Sequence, residues 1–253
     1  MILTNKKLLI IQDFLFIIIS VFYIVFRYTF FRSQETINSL YLNNLINIIL
    51  GLIFILLQYF ESLKNIINSI NVSSGFFIVY NLIPILLQQK SMFGVFIVAE
   101  ILLILINTLN LIRTNKEESV YSIKERIAYS SIIITFSIIF ILRGISLIIT
   151  YVQTKELTNQ IAISISDYIV CSVWLILGVL FLFNKRIGRN TIYPIYIHAT
   201  LLYLTLLLYM ALEPIIYKKA FDLVGMITII IMSIFFMLPM VQITSRKLAK
   251  AST

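Results

Sequence analysis

IIFILRGISLIIT, residues 138–150, is an apolar run with one charge, Arg143, near its middle. It lies inside a longer stretch, 128–152, that holds no other charged side chain. A run of this length crosses the hydrocarbon core of a bilayer as a helix, because a helix satisfies its own backbone where no water can. The run has seven companions. Spans are read at 8–26, 41–60, 73–88, 93–112, 128–152, 163–184, 192–217 and 221–243. The third, SSGFFIVYNLIPILLQ, is the shortest and is interrupted by Asn81 and Pro84. Neighbouring helices can satisfy the carbonyl that a membrane proline frees. The sequence therefore predicts an all-α, polytopic transmembrane bundle of eight spans, a single transmembrane domain over 1–253 with no soluble domain. If the third span is omitted, seven remain.

Composition agrees. The chain is 60% hydrophobic and 12% charged, whereas soluble domains are about a quarter charged, and its mean hydropathy is +1.00. The first run carries Asp13, exceeds the length of a signal-peptide core and lacks a small-x-small cleavage site, so it reads as a retained span. The single cysteine, Cys171, excludes an internal disulfide and a CxxC pair. The net charge of +9 points to lipid head groups and span orientation rather than nucleic acid. With eight spans, thirteen of the twenty basic residues fall on the side of the two termini, six on the other, and Arg143 inside. The positive-inside rule then places both termini in the cytoplasm of a multi-pass cell-membrane protein.

Two segments between spans are read separately. RTNKEESVYSIKERIAYS, 113–130, reads as a cytoplasmic linker with helical character, and ESLKNIINSINVSS, 61–74, as a short amphipathic helix along the inner interface. The halves 1–127 and 128–253 share a faint echo, ILGLIFIL at 49–56 against ILGVLFLF at 176–183, which allows a 4+4 parallel repeat or chance in so Ile- and Leu-rich a chain.

Polar groups inside spans are costly and mark function. At 1.5 Å of rise per residue, Arg143 lies ~13 Å below the outer face, Glu100 ~10 Å, and Asn47, Asn81 and Asp167 ~6–10 Å. Asn44 is shallower on the same side. The cytoplasmic half reads as drier, with Asp13 and His198 its notable polar groups. The expectation is an outward-facing polar pocket in which Glu100 or Asp167 neutralises a buried Arg143. An ion pair there would serve either as a brace or as part of a wet cavity, and a pair alone is poor glue. Arg143 would hold an anionic group, Glu100 and Asp167 a cationic one, with Asn44, Asn47 and Asn81 orienting a small polar or zwitterionic solute and Trp174 packing beside it. No HExxH, P-loop or nucleophile elbow occurs, and no cofactor is implied.

Two resemblances add to this reading. IGRNTIYPIYIHATLLYL, 187–204, resembles the late motif of membrane acyltransferases of the acyltransferase-3 type, which implies acyl transfer with His198 as base; the first-helix histidine of that group is missing here. More broadly, YLNNLINIILGL, FFIVYNLI, FILRGI, ISDYIVCSVWLILGVLFLFNKRIG and KAFDLVGMITIIIMSIFFMLP are similar to a family of uncharacterised bacterial and archaeal eight-span membrane proteins. In that likeness Asn47, Asn81, Arg143, Asp167 and Trp174 match its pattern, while Asn44 and Gly225 stand where the family has Asp. The likeness implies architecture and supplies no activity. Three readings follow: solute binding or transport, a membrane acyltransferase, and a structural or sensory subunit of a larger complex.

Overall fold

A computed structural model describes residues 2–30, 34–60, 63, 66–88, 93–114, 121–155 and 158–249. Among them are eight α-helices and no strand: α1 (Ile2–Phe30), α2 (Gln34–Leu57), α3 (Ile67–Gln88), α4 (Phe93–Thr114), α5 (Ile123–Thr154), α6 (Asn159–Leu182), α7 (Arg186–Tyr217) and α8 (Leu223–Ala249). Each is long and apolar enough to cross a membrane. The chain is an integral, multi-pass membrane protein.

The helix ends are set by short-range chemistry. Ser122 caps α5 in a capping box: its hydroxyl accepts from the Glu125 N–H at 3.3 Å, and Glu125 accepts from the Ser122 N–H at 2.8 Å. Lys155 closes the same helix in the left-handed conformation, φ 60°. Thr158 caps α6, and Asp222 accepts from the Gly225 N–H at 2.9 Å at the start of α8. The last carbonyls of a helix have no partner within it. Here the first turns of α7 supply donors to α4: Asn190 Nδ2 to Ile112 O at 3.2 Å and an Arg186 nitrogen to Arg113 O at 3.4 Å. Arg126 does the same for Leu182 of α6 at 3.4 Å.

The chain forms two compact units. Unit 1 comprises residues 1–74 and 196–253, and unit 2 residues 75–195, so the divisions fall within α3 and α7. In unit 1, α1 and α2 approach closely at Gly51, where a Cβ would lie 2.6 Å from Ile17 Cγ1. Phe236 of α8 stacks on Tyr203 of α7 with centroids 5.3 Å apart. In unit 2, α5 and α6 run antiparallel along a seam of small residues. A Cβ at Gly144 would come within 3.1 Å of Ser164 O, and one at Gly178 within 3.1 Å of Ile133 Cγ2. Close backbone approach through small side chains is how membrane helices gain packing energy without a hydrophobic driving force.

In the most apolar stretch of α3, the weakest span by sequence, 83% of the residues are buried, against 17% in those of α5 and α8. α3 also begins at Ile67 rather than 73. The expected interfacial helix over 61–74 is thus corrected from Ile67 onward: that part is the first two turns of α3, with Ser69, Asn71, Ser73 and Ser74 buried. In the 113–130 segment, helix is present to Thr114 and again from Ile123, and 115–120 lie outside the described residues.

Candidate functional site

Helix registers in unit 2 fix the levels of its polar residues. A Cβ at Gly75 of α3 would collide with Thr108 Oγ1 and reach Ile104 Cγ2 at 3.3 Å on α4. Asn81 lies six residues further along α3, and Glu100 lies four residues back from Ile104 and eight from Thr108 on antiparallel α4, so the two stand at about the same level. The α5–α6 seam at Gly144, Ser164 and Tyr168 sets Arg143 level with Asp167 by the same reasoning. A direct contact joins α3 to α6: the Tyr80 hydroxyl donates to Asp167 Oδ1 at 2.9 Å. Tyr80, Asn81, Glu100, Arg143 and Asp167 therefore occupy one layer of unit 2. Buried Cys171 and Trp174 follow one and two turns along α6.

The layer is not held by the expected ion pair. Arg143 is exposed on α5, and no ion pair joins it to Glu100 or Asp167. The reading of a buried, carboxylate-neutralised arginine is corrected on both counts. The physical reason lies in the packing face of α5. Its buried residues are Tyr129, Ser130, Ile133, Ser137 and Gly144, and Arg143 lies one residue, about 100° of helix, off that stripe. Its charge still acts over a distance on Asp167 and Tyr80.

Glu100 is the outlier. It is 3% exposed, and neither carboxylate oxygen has a hydrogen-bond partner among the described residues. A buried carboxylate without a partner is among the most costly arrangements a protein can hold. Asp167, at 8% exposed, has its Tyr80 donor, and the Asn81 amide donates to Phe77 O at 2.8 Å within its own helix.

In unit 1, Asn44 donates to Leu40 O at 2.7 Å and leaves its side-chain oxygen without a partner. Asn47 is fully buried, with neither amide atom partnered. The close approach at Gly51 and Ile17 sets Asn47 level with Ser20 of α1, whose buried hydroxyl is likewise unpartnered. The candidate residues thus divide: Asn44 and Asn47 in unit 1; Asn81, Glu100, Arg143, Asp167 and Trp174 in unit 2.

The expectation of a dry half on the side of the termini is overturned. Unit 1 buries Gln12, Asp13, Gln58, Ser69, Asn71, Ser73 and Ser74 towards that end, and the Gln58 amide donates to Asn71 Oδ1. Unit 2 buries Asn107, Thr108 and Asn190. The usable signal was uncharged: amides and hydroxyls near the ends of spans, which a search for charges passes over. Tyr80 was missed for another reason, since its role appears only when α6 brings Asp167 to it. His198 is fully enclosed in α7, with no exposed surface.

No family model, curated protein or solved structure matches the chain.

Proposed function

We propose that this membrane protein binds, and in binding carries, a small polar or zwitterionic solute at the intramembrane layer of unit 2. Glu100 would take the cationic group, with Asp167, oriented by Tyr80, as the second anionic wall and Asn81 as the orienting amide. The observation that supports this most is the Glu100 carboxylate, buried with both oxygens unsatisfied. A structural brace would have been built with a partner, because breaking or omitting one partner of a buried charge is strongly unfavourable. Asn47 in unit 1 is a buried amide with no partner among the described residues, which suits a hydrogen-bonding ligand. Following the basic-residue bias, we place both termini in the cytoplasm and the polar layer in the outer half of the cell membrane.

The test is a thermal-stability screen of the purified protein against amines, amino acids and betaines, run beside Glu100→Gln. The reading expects at least one cationic or zwitterionic compound to raise the unfolding midpoint of the parent chain and not of Glu100→Gln. A full screen with no stabilising compound, together with a second polypeptide copurifying in fixed ratio, would favour a structural or sensory subunit instead.

A further inference from the structure

We infer that the solute is an amphiphile, a lipid with a phosphate-bearing zwitterionic head group, and that Arg143 takes its phosphate from the bilayer side of α5. This rests on the binding reading above and names the substrate class.

Arg143 is the one charged residue of α5 beyond its first turn. It is exposed on a helix whose most apolar stretch has only 17% of its residues buried, about nine residues, ~13 Å, from the end of the apolar run at Val152. A guanidinium at that depth, exposed on its helix and with no hydrogen bond or ion pair among the described residues, is costly unless an anion or water meets it. The carboxylates that lie well within the spans, Asp13, Glu100 and Asp167, are all buried, so a second copy of the chain would present none of these at that depth. A planar guanidinium fork suits a phosphate.

The neighbours on α5 extend the match. Ser146, Thr150 and Thr154 follow Arg143 at helical spacing, so the four share one flank, and all are exposed. The Ser146 hydroxyl makes no hydrogen bond among the described residues and can donate to an anion. Thr150 and Thr154 donate instead to Ser146 O at 3.2 Å and Thr150 O at 3.0 Å. The exposed Thr150 hydroxyl, having donated its proton, keeps an oxygen that can accept from water or a head-group donor. The flank reads as an anion site with an acceptor track leading to the helix end. Beside it, Leu142 and Ile149 are exposed at 62% and 52% and offer apolar surface to acyl chains. A water-soluble solute would have no use for that side of the helix; a lipid needs both.

The experiment compares thermal midpoints of the purified protein in a neutral detergent. The additives are dioleoylphosphatidylethanolamine, the tail-free glycerophosphoethanolamine, and inorganic phosphate. The expected result is a rise of about 5 °C with the lipid at saturation, none with Arg143→Gln, and at least half the rise with Arg143→Lys. Thr150→Val should reduce the rise, and the tail-free head group and inorganic phosphate should leave the midpoint unchanged at the same concentration. Equal rises in the parent chain and Arg143→Gln would overturn the proposal. So would no rise with the lipid, or a rise with glycerophosphoethanolamine or inorganic phosphate as large as with the lipid. A photoreactive residue at position 142 should cross-link to lipid; cross-linking to another polypeptide would also overturn it. Loss of the lipid effect with amine binding still dependent on Glu100 would remove only the lipid assignment and leave the binding reading standing.

Discussion

Glu100 stands out because no described residue of its unit answers its charge. The titratable and charged groups at its level are Tyr80, Asp167 and Arg143, and these interact with one another. Glu100→Gln keeps the shape and removes the charge. The account predicts thermal stability no lower than that of the parent chain, with solute-dependent stabilisation lost. A Glu100 that braced the fold through an unseen partner would instead cost several degrees. Tyr80 should behave differently. Tyr80→Phe leaves Asp167 without its donor, so a loss of about 1–3 kcal/mol is expected in chemical or thermal unfolding. In an Asp167→Asn background the same substitution should cost less, a coupling that a double-mutant cycle reads directly.

At the scale of helices, the seam between α5 and α6 depends on absent side chains. Gly144→Leu would drive a side chain into Ser164 O and Tyr168, and overpacking of this kind costs about 1–3 kcal/mol. Removing the α5 cap with Ser122→Ala should cost about 1 kcal/mol, measurable as a lowered unfolding midpoint with the fold intact. The eight helices were legible in the sequence because the bilayer imposes both length and apolarity on each crossing. Their faces were only partly legible. Ser130, Ser137 and Gly144 recur every seven residues and mark the packed stripe of α5; the depth of Arg143 said nothing about which way it pointed. For α3 the usual cue works in reverse. Its asparagines and serines weaken it as a span, yet a helix enclosed by protein can keep polar groups at a lower cost than one exposed to lipid. The segment that looked interfacial, 67–74, is the start of the most enclosed helix.

For the whole molecule, the orientation proposed above has eight crossings return both termini to the cytoplasmic face. Reporter fusions or cysteine accessibility at residues 1 and 253 should show both ends on the cytoplasmic side; opposite sides would mean an odd number of crossings. The candidate layer was legible as a set of depths, and within unit 2 the registers of α3 with α4 and of α5 with α6 bring those depths to one level. The sequence could not show which members pair. That depends on helix rotation, and it separated Arg143 from the carboxylates while joining Tyr80 to Asp167.

The most direct measurement is an experimental structure of the protein in lipid nanodiscs, with maps inspected around the Glu100 carboxylate. The account predicts non-protein density within hydrogen-bond distance of its oxygens, absent in Glu100→Gln. A Glu100 side chain satisfied by a protein donor, with no density beside it, would contradict the binding site.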